Sequence, residues 1–111
     1  MTMQEFTFEF SNEVQSLGPQ VEDRLRAEAE QRLRKLQAGH TDLMGAAVSV
    51  EQPIHAETPF LFQARVVAYA RPKNIAATTK ESDAMNALKG ALAAVERQVR
   101  EQRARLRQRR W

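Results

Sequence analysis

Hydrophobic and polar residues alternate at the start of the chain and then change to a helical spacing. Phe6, Phe8 and Phe10 are separated by single polar residues, and this period of two predicts a first β-strand with one apolar face. From about residue 20 to residue 37, apolar residues return every three or four positions, which predicts an amphipathic helix that ends at Gly39. The apolar residues of this helix are Val21, Leu25, Ala29, Leu33 and Leu36.

The middle of the chain contains three strand candidates separated by turns. Residues 44–51 and 60–70 place apolar residues at every second position and predict a second and a third strand, and residues 75–79 supply a short fourth strand. Residues 71–74, Arg-Pro-Lys-Asn, form a typical turn sequence between the last two strands. The side chains expected to face the core are Ala46, Val48, Val50, Phe60, Phe62, Ala64, Val66 and Ala68.

A long helix is predicted from about residue 82 onward, with Ser82 as its N-cap and Asp83 in its first turn. Some 26 residues at about 1.5 Å each give roughly 40 Å, which exceeds the span of a ten-residue strand, about 33 Å. We therefore expect the helix to extend beyond the sheet, so that truncation after Gln102 leaves the core intact. Gly90 is expected to permit a close backbone approach. The apolar seam of this helix consists of Met85, Leu88, Leu92, Val95, Val99, Gln102 and Leu106.

The predicted order of elements is β-α-β-β-β-α. It indicates an α+β domain over residues 1–111 in which two helices pack on one face of a four-stranded sheet and the other face is open. The three phenylalanines near the N-terminus and Phe62 should then be buried beneath apolar residues of both helices. Those residues are Leu25, Leu33, Leu88 and Leu92.

The composition of the chain excludes several kinds of site and indicates its cellular compartment. The chain has no cysteine, which excludes disulfides and thiolate metal sites. No apolar run approaches the roughly 20 residues that a membrane span requires, and the acidic, alternating N-terminus is unlike a signal peptide. We therefore expect a cytoplasmic protein without a membrane partner.

Positive charge is concentrated at the C-terminal end of the chain. Residues 97–111 hold seven arginines and one acid, which leaves ten of the 17 basic and 13 of the 14 acidic side chains for the preceding residues. Arg100, Arg103, Arg107 and Arg110 are spaced so that they form one stripe on the helix. Such a stripe predicts a polyanionic partner, and a charge-rich, solvated helix end is the alternative.

No set of residues in the sequence predicts catalysis. His40 follows a helix-ending glycine and His55 lies between two prolines, and neither belongs to a metal-ligand spacing. There is no nucleophile-elbow serine and no glycine-rich phosphate loop. We therefore expect no enzyme, no catalytic residue, no metal, no cofactor and no small-molecule substrate.

Two helical segments resemble a known family. Residues 21–36 read V-E-D-R-L-R-A-E-A-E-Q-R-L-R-K-L, and residues 81–100 contain an Asp at position 83 that is separated by twelve residues from Glu-Arg-Gln at 96–98. Both segments are similar to those of the ribosome hibernation promoting factors, also called ribosome-associated inhibitors or sigma-54 modulation proteins.

Since the chain ends at Trp111, it resembles the short form of that family.

The resemblance implies a fold like that of double-stranded RNA-binding domains and a role in the stress response. It implies binding to rRNA of the small ribosomal subunit, where the protein blocks the tRNA and mRNA sites, and we expect it to act as a monomer. The RNA-binding residues carried over by position are Arg26, Arg32, Lys35, Arg97, Arg100 and Arg103. The arginine stripe adds Arg107 to this set.

Two alternatives remain open from the sequence. The long C-terminal helix can serve as a protein-interaction module, in which its arginines are solvated. The chain can also be a divergent RNA-binding paralogue with a target other than the ribosome, since several positions depart from the family pattern. These positions are Ala38, Met85, Ala94 and Glu101.

Overall fold

The structure, a computed structural model, describes residues 6–14, 16–53 and 61–108. It confirms the predicted order of elements. The strands and helices are β1 (Thr7–Asn12), α1 (Pro19–Gln37), β2 (Leu43–Glu51), β3 (Phe62–Ala70), β4 (Ile75–Glu81) and α2 (Ala84–Gln108). The sequence-based expectations for His55, Phe60, Arg109, Arg110 and Trp111 fall outside the described residues.

The four strands form one mixed sheet in the order β1-β2-β3-β4. β1 pairs with β2 in parallel, and the two later pairings are antiparallel. A parallel pair requires a crossover connection, which α1 provides. One row of the register runs across the whole sheet and joins Phe10, Val48, Val66 and Ala77. This row points toward the helices, and Val48 and Val66 are buried.

The core lies between the sheet and the two helices, as the apolar spacing predicted. α2 packs mainly on β3 and β4, and α1 lies beside α2 and covers the β1 and β2 side. The largest fully buried side chains in the described residues are Leu25, Leu33, Leu43, Leu88, Leu92, Val50, Val66, Val95 and Val99. The opposite face carries Arg65 and Tyr69, which are exposed as expected, so the helices leave that face of the sheet open.

The N-terminal phenylalanines are less buried than the alternation predicted. Phe6, Phe8 and Phe10 are only partly buried, although they pack against the core. The reason is that β1 is an edge strand, so one side of each ring has no neighbouring strand. Two guanidinium groups of α1 cover the exposed rings, with Arg26 over Phe10 and Arg34 over Phe6, each 5.4 Å from the ring centroid.

The helix ends confirm one expectation and correct another. The chain turns at Gly39, whose φ of 76° is a left-handed value that suits glycine after a helix. At the start of α2, however, the N-cap is Asp83 and not Ser82. The Asp83 carboxylate accepts a hydrogen bond from the backbone N–H of Asn86 at 3.0 Å. A carboxylate satisfies this otherwise unpaired donor and also favours the positive end of the helix dipole.

α2 contacts the rest of the domain farther along its length than its apolar residues alone indicated. Val99 is the last fully buried residue in the described part of α2, but the Gln102 side chain then donates to the backbone oxygens of Arg71 and Lys73 in the β3–β4 turn, at 3.0 and 3.3 Å. Near the other end of α2, an added Cβ at Gly90 would lie 3.3 Å from the side-chain oxygen of Thr79. The close approach expected at Gly90 is therefore to a side chain of β4 and not to its backbone.

Candidate nucleic-acid interface

An open, positively charged groove lies between α1, the turn that follows it and the C-terminal half of α2; we call it the basic cleft. It has two adjoining parts of about 430 and 330 Å³, which share His40, Arg100 and Arg103 as lining residues. The basic side chains that line one or both parts are Arg32, Lys35, Arg100, Arg103 and Arg107. Five of the seven residues predicted from the sequence therefore lie together.

The two helices form the cleft because they run side by side in the same direction. Arg32 of α1 contacts Glu96 of α2, and Leu36, farther along α1, contacts Arg103, farther along α2. The α2 residues that face α1 are spaced by four, three and four positions, the spacing of one helix face. They are Glu96, Arg100, Arg103 and Arg107.

Arg103 is held by partners within the chain. Its Nε donates to Asp42 Oδ2 at 2.7 Å, and its Nη2 donates to Asp42 Oδ1 at 2.9 Å and to the backbone oxygen of Leu36 at 2.8 Å. The two side chains are only 14% and 16% exposed. Partial burial raises the pKa of the Asp42 carboxyl, but the hydrogen bonds and charge of Arg103 outweigh this effect, and the net shift of the Asp42 pKa is downward.

Arg32 is paired in the same manner. Its Nε and Nη2 donate to the two carboxylate oxygens of Glu96, at 3.0 and 2.5 Å, and Glu28 lies 3.7 Å from its Nη1. The hydrogen bonds that Arg32 donates to Glu96 raise the pKa of Arg32 although burial opposes them, so this guanidinium stays protonated. A bidentate pair is the strong geometry for arginine and carboxylate. Two of the predicted RNA-binding arginines are thus neutralised by acids of the same chain.

The remaining cations of the cleft are exposed. Lys35, Arg100 and Arg107 make no ion pair among the residues that the structure describes. Arg100 lies between Glu96 and Arg103 on the same helix face and lines both parts of the cleft. These three side chains are the ones whose charge is available to an external anion.

Two predicted residues lie outside the cleft. Arg26 projects from the side of α1 that faces β1, where it covers Phe10. Arg97 is exposed on α2 but does not line the cleft. Both residues were predicted by position from the family resemblance, and a position in the sequence does not show on which side of the helix pair a side chain lies.

Sequence reasoning missed His40 and Asp42 as residues of this site. His40 lines both parts of the cleft because the turn at Gly39 brings the chain back toward α2. The glycine that ends α1 was the available signal, since a chain reversal there points the next residues at a neighbouring element. In the described part of the chain, no group of three or more His, Asp or Glu side chains is placed to hold a metal ion.

Comparison with known proteins identifies the family. The model of the sigma 54 modulation protein / S30EA ribosomal protein family matches residues 13–107. The chain belongs to this family. The match covers both helices and the strands from β2 to β4, and it confirms the resemblance drawn from the two helical segments. The family is one of ribosome-associated factors linked to ribosome hibernation and translation regulation, and it is not known as a family of enzymes.

Solved structures with the same fold are distant in sequence. A ribosomal subunit interface protein from Coxiella burnetii is 11% identical, with a TM-score of 0.67, and the match covers 89% of this chain and 99% of that one. The N-terminal domain of Thermus thermophilus Protein Y is 13% identical, with a TM-score of 0.65 and coverage of 87% and 98%. No curated protein matches the sequence. Neither described helix is both long and apolar enough to cross a membrane.

Proposed function

We propose that this protein binds rRNA of the small ribosomal subunit through the basic cleft and holds the subunit inactive. The observation that supports the proposal most directly is a set of exposed cations along the cleft that have no ion-pair partner within residues 6–14, 16–53 and 61–108, in a member of a ribosome-associated family. Lys35 comes from α1, and Arg100 and Arg107 come from α2. An RNA backbone lying along the cleft would thus contact both helices.

Phosphate is the ligand that these side chains fit best. Arginine donates two parallel hydrogen bonds to a phosphate group, and lysine contributes a point charge. Glu96 and Asp42 are the acids that line the cleft, and Arg32 and Arg103 already neutralise them. The cleft therefore presents a net positive charge to an approaching polyanion, and this charge would make the affinity dependent on salt.

Inhibition in this proposal is by occupancy and requires no chemical step. The domain would fill the positions of tRNA and mRNA on the small subunit, which places its action in the cytoplasm, and it would do so as a monomer. One of the two solved structures with the same fold is a ribosomal subunit interface protein, which agrees with a ribosomal target.

A protein-interaction role for the end of α2 has less support. Pairing with another helix would require exposed aliphatic side chains, and beyond Val99 the described part of α2 offers only Leu106, which is 37% exposed. Arginines surround it on the helix. Phosphate binding uses these charges, whereas helix pairing would have to bury them.

The proposal is tested by co-sedimentation with purified small subunits at several salt concentrations. Replacing Arg100 and Arg107 with Ala should weaken binding and lower the salt slope by about two units, one for each lost phosphate contact. The matched control replaces Arg65 and Lys80, two exposed cations on the sheet, with Ala. This control loses the same charge and should keep the wild-type slope to within about half a unit.

Two results would contradict the proposal. Unchanged binding by the Arg100 and Arg107 variant would show that another surface binds the subunit. Equal losses in both double variants would show attraction by overall charge without a defined site. Competition supplies a further check, because occupancy predicts that bound protein prevents deacylated tRNA from binding to the same subunits, and free RNA fragments would report on a non-ribosomal target.

A further inference from the structure

We infer that the Asp42–Arg103 pair is a positioning device for the basic cleft, and that Arg103 itself is not a phosphate ligand. The inference rests on the proposed function and divides the cations of the cleft into two groups. Lys35, Arg100 and Arg107 would bind phosphate, and Arg103 would set the place of the elements that carry them. Sequence spacing alone assigns Arg103 to the same stripe as Arg100 and Arg107.

Most of the hydrogen-bond donors of Arg103, and its charge, are already used within the chain. A guanidinium has five N–H donors, and three hydrogen bonds from Nε and Nη2 already engage one side of the fork. Asp42 offsets its charge, and the Arg103 side chain is 14% exposed. The two N–H groups of Nη1 remain, so a bidentate phosphate contact would require at least one of these three hydrogen bonds to break. Breaking the pair with Asp42 would leave its carboxylate facing a polyanion.

The Asp42–Arg103 pair connects three elements of the fold at the end of α1. The Leu36 oxygen belongs to the last turn of α1, where backbone carbonyls have no partner within the helix, and a cation at this position also favours the helix dipole. Asp42 lies in the turn between α1 and β2, and its backbone oxygen accepts a hydrogen bond from the Arg71 N–H at 2.9 Å. Arg103 therefore joins the end of α1, the turn after it and, through Asp42, the β3–β4 turn.

The Asp42–Arg103 pair lies close to two of the proposed phosphate ligands. Lys35 precedes Leu36 on α1, and Arg100 lies one helical turn before Arg103 on α2. Loss of the pair would release the end of α1 from α2 at this point and change the separation of Lys35 from Arg100. Misplacement by about 1 Å is enough to weaken a preorganised site considerably.

The deciding experiment removes the Asp42 charge while keeping its shape. Asp42→Asn binding to small subunits is compared with Glu101→Gln, which removes one negative charge from an exposed position of α2 that makes no ion pair among the described residues. If Arg103 were a phosphate ligand, Asp42→Asn would free it, and this variant would bind more tightly than Glu101→Gln. A positioning pair predicts the opposite order, with Asp42→Asn weaker than both Glu101→Gln and the wild type.

A second variant keeps the conclusion independent of Asp42. Arg103→Lys retains the charge but cannot make the three-way contact, so positioning predicts binding about tenfold weaker. Arg100→Lys is the control, and it should lose only about twofold to threefold because lysine still binds phosphate as a point charge. Faster amide hydrogen exchange in the last turn of α1 should accompany Arg103→Lys and not Arg100→Lys.

The outcomes separate this inference from the proposed function. If Arg100→Ala weakens subunit binding while Asp42→Asn binds as well as Glu101→Gln or better, the positioning role is wrong and the proposed function stands. If Arg100→Ala has no effect on binding, the proposed function fails first. All variants are assayed well below their own melting temperatures, and should Arg103→Lys not fold, the order of Asp42→Asn and Glu101→Gln decides.

Discussion

Arg32 on α1 and Glu96 on α2 form a bidentate ion pair that joins the two helices across the basic cleft. Their side chains are 26% and 15% exposed, so the pair is only partly shielded from water. A pair in this position fixes the lateral contact of the two helices, together with the hydrogen bond from Arg103 to the Leu36 oxygen. It also removes one cation from the set that an external anion can reach.

Breaking this pair should destabilise the fold. Glu96→Ala leaves the partly buried Arg32 guanidinium with Glu28 as its remaining ion-pair partner among the described residues, and we expect a loss of about 1 to 2 kcal/mol in the free energy of unfolding. Urea denaturation followed by circular dichroism measures it. The matched control is Glu30→Ala, which removes the exposed partner of Arg34 within α1 and should cost no more than about 0.5 kcal/mol. Equal losses of unfolding free energy in the two variants would show that the pair between the helices stabilises the fold no more than the exposed pair within α1.

The Asp42–Arg103 pair predicts a stability difference that depends on pH. The pKa of Asp42 is lower in the folded protein than its unfolded value of about 3.9. Its stabilising effect is therefore fully present above that value and is lost as the pH falls through the folded-state pKa. Asp42→Asn should be less stable than the wild type at pH 7, and the difference should begin to shrink below about pH 4 and disappear below the folded-state pKa of Asp42. A constant difference in urea midpoints from pH 7 to pH 3 would contradict this linkage.

The structure indicates that the chain tolerates a shorter C-terminal truncation than the sequence predicted. A chain ending at Gln102 loses Arg103 and leaves the Asp42 carboxylate without its partner, so it should melt lower by about 4 to 8 °C for each kcal/mol lost. A chain ending at Arg105 keeps the pair and should melt close to the full-length protein. Thermal melting of both chains tests this difference, and identical melting temperatures would show that the pair adds no stability.

Gly45 should tolerate no side chain. A Cβ added there would lie 2.6 Å from the backbone oxygen of Thr7, its partner in the parallel β1–β2 pairing, so β1 would have to move. We expect Gly45→Ala to cost about 1 to 3 kcal/mol. Gly18→Ala is the control, because nothing lies within 4 Å of an added Cβ at that position. Urea midpoints distinguish the two, and a wild-type midpoint for Gly45→Ala would show that the edge strand adapts freely.

The fold could be predicted because local spacing reports which face of each element is apolar. The period of two from residue 64 to residue 70 and the spacing of Leu88, Leu92, Val95 and Val99 each predicted buried faces that the structure confirms. Phe62, at the start of β3, is only partly buried, although its burial was predicted. The partial burial of Phe6 and Phe10 could not be predicted in this way. Alternation shows that two sides of a strand differ, but only the sheet order shows that β1 lies at an edge.

The candidate site was predicted in its composition but not in its division of roles. Charge clustering and the resemblance to the family pointed to cations of both helices, and five of the seven line the basic cleft. Spacing on one helix makes Arg100, Arg103 and Arg107 look alike. Asp42 is 61 residues away from Arg103 in the chain, so no local pattern shows that one of the three has an acidic partner.

The sequence by itself determined the order of the elements, their apolar faces, the concentration of positive charge on α2 and the family, because each is a property of neighbouring residues along the chain. Tertiary structure alone decided which charges remain available. The parallel packing of α1 against α2 brings Glu96 to Arg32 and Asp42 to Arg103, and leaves Lys35, Arg100 and Arg107 exposed. Ion pairing depends on distances of a few ångströms between atoms, and folding sets those distances between residues far apart in sequence.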